Sequence, residues 1–137
     1  MKIYTASKIT LARGWANFRA EWTEHKFTSH WIDRVLAGEE ASAMHPEYAQ
    51  EVWIEDEEDI RRADVVLVLG THGEHLRGAL VEAGMGIALG KKIIVVGDHP
   101  DYGSWQFHPA VWPASNLEVA RGLLRVWEME LTLCPRP

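Results

Sequence analysis

Glu82 is the residue of this chain best set up for chemistry, because it is the one charge in a run that is otherwise apolar or glycine from Gly78 to Gly90, GALVEAGMGIALG. Burying an ionised carboxylate is costly unless something pairs with it. Glu82 is therefore either turned to solvent near a helix start, where the dipole favours it, or held in a site as nucleophile or general acid/base. The run follows the hydrophobic stretch Val65-Val66-Leu67-Val68-Leu69 and precedes Ile93-Ile94-Val95-Val96. This order predicts a crossover helix between two parallel strands. Glu82 then lies early in the helix, near the carboxyl edge of the sheet, where open α/β folds place their ligands.

Other residues cluster at the same predicted edge. The first strand, Lys2 to Ala6, runs into Ser7-Lys8-Ile9-Thr10, so Ser7 and Thr10 stand at a helix start able to hold an anion or sugar hydroxyls. That turn lacks the glycines of a dinucleotide fingerprint or a phosphate-binding loop, so NAD and ATP are not expected. Gly78, one turn before Glu82, leaves room for a ligand above the carboxylate. Gly84 and Gly86 each cost about 1 kcal/mol relative to Ala in a helix, which points to close packing. Asp56 belongs to a run of five acids, Glu55 to Asp59, most of which are expected on a solvated face. Trp31 is placed to stack on a planar ring from the end of a second strand, or to pack in the core.

The elements that position these residues follow from periodicity. Leu11, Trp15, Phe18 and Trp22 recur at spacings of three and four, predicting a helix from Thr10 to about His25. Phe27 to Ile32 reads as the second strand. A polar segment from Ala37 to Pro46 follows, broken by Gly38 and Pro46. Tyr48 to Arg62 is expected to be helical in its second part. Strands at Asp64–Leu69 and Lys92–Gly97 flank the Glu82 helix. A loop rich in Pro, Gly and aromatics spans Asp98 to Gln106, Ala110-Val111-Trp112 is a brief fifth strand, and Asn116 caps a last helix through Leu131. Strands alternating with helices imply a parallel sheet of four to five strands covered on both faces, a flavodoxin-like three-layer α/β domain over residues 1–137. Trp15, Trp22 and Trp127 fall on apolar helical stripes as core or interface. Trp105 and Trp112 stand in the segment after the fourth strand.

Composition narrows the function classes. A net charge of −6 with no Lys/Arg track argues against a nucleic-acid polymer as partner. The single cysteine, Cys134, excludes an intrachain disulfide, and the seven histidines show no metal-ligand spacing. The apolar stretches are too short to span a bilayer, and no signal peptide is seen. A cytoplasmic protein without metal or cofactor, acting on a small molecule, is the expectation.

The segments Lys2-Ile3-Tyr4, Asp56…Ile60…Ala63-Asp64 and Arg77-Gly78-Ala79-Leu80-Val81-Glu82-Ala83-Gly84 through Leu89-Gly90-Lys91 resemble the nucleoside 2-deoxyribosyltransferase-like family, over residues 2 to about 126. That family includes transferases that exchange bases between deoxyribonucleosides and hydrolases that cleave nucleoside or deoxynucleoside monophosphates. The resemblance implies that Glu82 attacks the anomeric carbon, that Tyr4 orients it, and that Asp56 serves the base side of the pocket. The transferases carry a second aspartate six residues before the nucleophile, where this chain has Leu76. His72, Glu74 and His75 are neighbours able to take its place. Homodimers or larger assemblies are implied too, with the Asp98–Gln106 loop or Asn116 completing a neighbour's site at the sugar 5′ end. The expected activity is base exchange on 2′-deoxyribonucleosides with some hydrolysis. The alternatives are hydrolysis of a 5′-mononucleotide and a non-catalytic nucleotide-binding module.

Overall fold

The near-continuous apolar runs at Val65–Leu69 and Lys92–Val96 are those of strands covered on both faces, and both lie in the middle of one sheet. The computed structural model describes residues 1–39 and 45–134. In chain order the elements are β1 (Lys2–Ser7), α1 (Ala12–Glu21), β2 (Lys26–Phe27), α2 (Trp31–Leu36), α3 (Pro46–Arg62), β3 (Val65–Leu69), α4 (Gly78–Ala88), β4 (Lys92–Val96), β5 (Val111–Ala114) and α5 (Leu117–Leu133). All five strands are parallel, in the order β2-β1-β3-β4-β5. This is the flavodoxin-like arrangement, with its switch point between β1 and β3.

Register assigns the two faces. Tyr4, Val66 and Ile93 lie in one row across β1, β3 and β4, and the bare backbone of Gly86 on α4 packs on that row. A Cβ at Gly86 would come within 2.7 Å of Val66 Cγ2 and 2.8 Å of Ile93 Cδ1. Close packing thus accounts for Gly86 but not for Gly84, whose missing side chain would meet only open space. Because side chains alternate along a strand, Ser7 and Trp112 belong to the opposite face. There the Trp15 indole donates to Ser7 Oγ (2.7 Å) and Trp112 stacks edge-on against Trp127 of α5. Trp15 and Trp22 are buried in the core, and Arg121 of α5 lies over the Trp22 ring. Asn116 caps α5, its side-chain oxygen accepting from the Val119 amide (2.9 Å).

The segment from Phe27 to Ile32 is not one strand. β2 stops at Phe27 because the Ser29 hydroxyl accepts the Thr5 amide (2.7 Å), taking the place of a ladder carbonyl. The chain then turns into α2, so Trp31 stands at a helix start rather than a strand end. α3 is also longer than periodicity suggested. Pro46 opens it instead of breaking the chain, as proline does at the first helical position. The first helix is shorter than expected, a 3-10 turn at Ile9–Leu11 followed by α1. Of the polar segment, residues 40–44 lie outside the described residues. Among the described residues no helix is long and apolar enough to cross a membrane.

Candidate active site

Glu82 is 7 % exposed, one turn into α4 above the carboxyl edge of the sheet. Two groups from other elements meet it. Tyr4, fully buried on β1, presents its hydroxyl, and Asp56, 5 % exposed on α3, presents its carboxyl group. The Tyr4 hydroxyl lies close enough to both carboxyl groups to lower their proton affinity, yet makes no hydrogen bond of regular geometry. Tyr4 Oη, Asp56 Oδ1 and Glu82 Oε2 are all buried without a partner. Buried polar atoms are nearly always satisfied, so three such atoms brought together from β1, α3 and α4 make this the candidate site.

Electrostatics agrees with that geometry. Burial, followed by the nearby Asp56 charge, holds Glu82 well above the usual carboxylate range, with the Tyr4 hydroxyl opposing. Burial, then Asp59 and Glu55, pushes Asp56 up to about 7. Burial and the two carboxylates likewise raise Tyr4. Two carboxyl groups in one dry site do not both ionise readily, so the pair retains a proton up to near neutrality.

These groups open into a cavity of about 380 Å³, within the range of small-molecule sites. Its walls are largely apolar, from Ile9, Trp31 and Val35 to Val52 and Trp53. Trp31 is fixed by its indole N–H donating to the Thr5 carbonyl (2.8 Å). Ser7 reaches the lining, but its hydroxyl already accepts from Trp15 and donates to the Lys8 carbonyl (3.0 Å). It is a less open donor than the sequence suggested. Gly78 forms part of the floor. A Cβ there would lie 3.4 Å from Trp53 Cη2 and 3.7 Å from Glu82 Oε1, so the space above the glycine is bounded by an indole. Thr10, His72 and Asn116 lie outside the lining, and His75 lies in it.

Sequence reasoning missed several lining residues. Arg34, Tyr48, Trp53 and Arg77 reach the cavity. Arg34 is committed to Glu55 (2.7 Å). Lys8 pairs with Glu74 (3.1 Å), whereas Arg77 has no ion-pair partner among the described residues. The loop leading into α4 is fastened from the segment after β4: Asp101 accepts the Leu76 amide (2.7 Å), His99 Nε2 lies 2.8 Å from the Glu74 carbonyl, and Tyr102 Oη accepts from the Gly70 amide (2.9 Å). His75 lies 3.4 Å from the same Asp101. The Asp98–Gln106 segment is therefore occupied in part within its own chain.

The run of five acids is not simply a solvated face. Asp59 is fully buried beside Asp56. A signal for this was present, since Val52, Asp56, Asp59 and Ala63 recur at helical spacing and share one side of α3. His30, Glu55 and Asp59 are close enough to hold a cation. Their oxygens are already engaged by guanidinium groups, Asp59 with Arg62 (2.7 Å) and Glu55 with Arg34, a donor set that suits ion pairing better than a metal.

No protein-family model and no curated protein matches the chain. Among solved structures, the chain is similar to the CMP N-glycosidase BcmB of Clostridium botulinum, at 14 % identity, covering 93 % of this chain and 99 % of that one with a TM-score of 0.56. At that identity the likeness establishes a shared fold, the single parallel five-stranded sheet with helices on both faces.

Proposed function

We propose that the protein cleaves the N-glycosidic bond of a nucleoside or nucleotide, with Glu82 as nucleophile. The observation that carries this reading is the meeting of buried, unpartnered atoms of Glu82, Asp56 and Tyr4 where the two carboxyl groups line an apolar cavity. Breaking such a bond develops oxocarbenium character at C1′, which a carboxylate captures as an ester. The C1′–N bond breaks as the Glu82 oxygen bonds to C1′, and the departing base takes the proton from Asp56, whose raised proton affinity suits a general acid near neutrality. Tyr4 orients the Glu82 carboxylate. A second base, or water, then attacks C1′ and frees Glu82, returning a proton to Asp56. The fold shared with a CMP N-glycosidase supports the reaction class.

Base exchange on 2′-deoxyribonucleosides, with hydrolysis beside it, is the reading preferred for its chemistry. The dry walls and the ring of Trp31 favour a pocket that stays closed to water between one base and the next. A second reading, hydrolysis of a 5′-monophosphate, is favoured by the cations Lys8 and Arg77 at the cavity and by the substrate of the structural neighbour. The test is chromatography of a panel of nucleosides and 5′-monophosphates incubated with the protein, with and without a free acceptor base. Exchanged deoxynucleoside is the expected product. Sugar phosphate from monophosphates alone would establish the hydrolase in its place. Binding without any bond cleavage would leave a nucleotide-binding module.

A further inference from the structure

Trp53 is a large apolar side chain left 36 % exposed, on the helix that carries Asp56. It precedes Asp56 by three residues, so both side chains leave α3 on the same side. The far edge of its indole rests against Gly78, the residue four before Glu82. The position of a Gly78 Cβ lies 3.4 Å from Trp53 Cη2, 3.5 Å from Trp53 Cζ2 and 3.7 Å from Glu82 Oε1. One small volume thus separates the indole from the carboxyl group. It exists because residue 78 has no side chain.

We propose that Trp53 is the wall that keeps water off Glu82, and so divides the captured sugar between water and an incoming base. This rests on the N-glycosidic reading above and deepens it. From the ester, the C1′–Oε bond to Glu82 breaks as a nucleophile bonds to C1′. A base gives a new nucleoside, whereas water gives free sugar and leaves its proton on Asp56. Which occurs depends on which nucleophile reaches C1′ first, and the indole is part of that barrier. Burial is also the first cause raising the proton affinity of Glu82. The groups facing Glu82 are Tyr4 from β1 and Asp56 from α3, while Lys8, Arg34, His75 and Arg77 line the same cavity. None of these changes on truncation of Trp53, so hydration is the variable that moves.

The test compares the parent with Trp53→Ala and Trp53→Phe, incubated with a deoxynucleoside and a different free base. Total base release, the ratio of exchanged nucleoside to free sugar, and the pH profile are read together. Trp53→Ala is expected to raise the hydrolysed share at least about threefold, and to move the acidic limb of kcat/KM about one unit lower as Glu82 gains water. Trp53→Phe is expected to stay near the parent in both. Because the side chain is partly exposed on a helix surface, unchanged circular dichroism and Tm accompany these results. An unchanged partition and limb in Trp53→Ala overturns the proposal while leaving the N-glycosidic reading intact. A parent that hydrolyses all its substrate overturns it too, since nothing then keeps water away. If the parent releases no base from any substrate, both readings fall.

Discussion

Asp56 and Asp59 lie three residues apart on α3, both buried, and the molecule treats them in opposite ways. Asp59 accepts the His30 amide (2.9 Å), lies 2.8 Å from the His30 ring nitrogen and accepts from Arg62 (2.7 Å). It fixes the start of α2, and with it the backbone that carries Trp31. Asp56 Oδ1 has no partner, and the carboxyl group shares its surroundings with Glu82 and Tyr4. A saturated acid holds structure, whereas an acid left wanting a partner can bind a ligand or move a proton. Burial alone does not separate the two. Their remaining valences do.

The sharpest way to break this contrast is at Glu82, the proposed nucleophile. Glu82→Ala is expected to abolish turnover, at least about a thousandfold, while leaving the fold intact and no less stable, since it relieves a buried charge. Kinetics together with thermal unfolding would check both halves, and parental rates would end the catalytic assignment. Asp56→Asn keeps the shape but removes the transferable proton. Its kcat should fall about a hundredfold to ten-thousandfold, with the basic limb of the pH profile lost. A smaller loss is expected for Tyr4→Phe, about ten- to a hundredfold in kcat at nearly constant affinity.

Asp59→Ala should reverse the pattern, destabilising by about 2 kcal/mol as the His30 amide loses its acceptor. Here the test is a denaturation midpoint beside a pH–rate profile that keeps both limbs, the basic one moved lower because the Asp59 charge no longer raises Asp56. A pH profile that followed Asp59 rather than Asp56 would invert the division of labour drawn above. The last effect concerns stability against pH. Asp56 titrates near 7 in the folded chain and near the ordinary carboxylate value when unfolded, so its protonated form stabilises the fold. That contribution is full below about pH 4 and is lost as pH rises through 7. Asp56→Asn should therefore gain on the parent by about 1–3 kcal/mol at pH 8 and by little at pH 4, as measured by urea unfolding at both values.

Much of this was legible from residue order. The apolar setting of Glu82 placed it correctly on a crossover helix, and the alternation of strands and helices predicted the parallel sheet. Tyr4 and Asp56 came from likeness to a family, and the structure brings both to Glu82. What sequence could not supply was direction across elements. The start of α2 depends on a serine hydroxyl and an aspartate that lie 24 and 29 residues from the groups they bind. Trp53 carried no signal in the sequence and Arg77 entered only as the first residue of the Gly78–Glu82 motif, because only tertiary packing turns them toward the cavity. Asp59 was hidden within a charge run, where composition outweighed the helical spacing that marks its buried face.

Tyr4 lies on β1, and β1 sits inside the sheet between β2 and β3 rather than at its edge. During synthesis this strand emerges before the other four, yet its pairing with β3 joins Ile3 to Val65 and Ser7 to Leu69. The tyrosine waits for the two carboxyl groups that follow it at positions 56 and 82. The site is thus closed by contacts of long sequence separation, and such contacts form late. A nascent or truncated chain ending before α4 holds three of the five strands and lacks Glu82, so the proposed site is assembled only as the sheet nears completion.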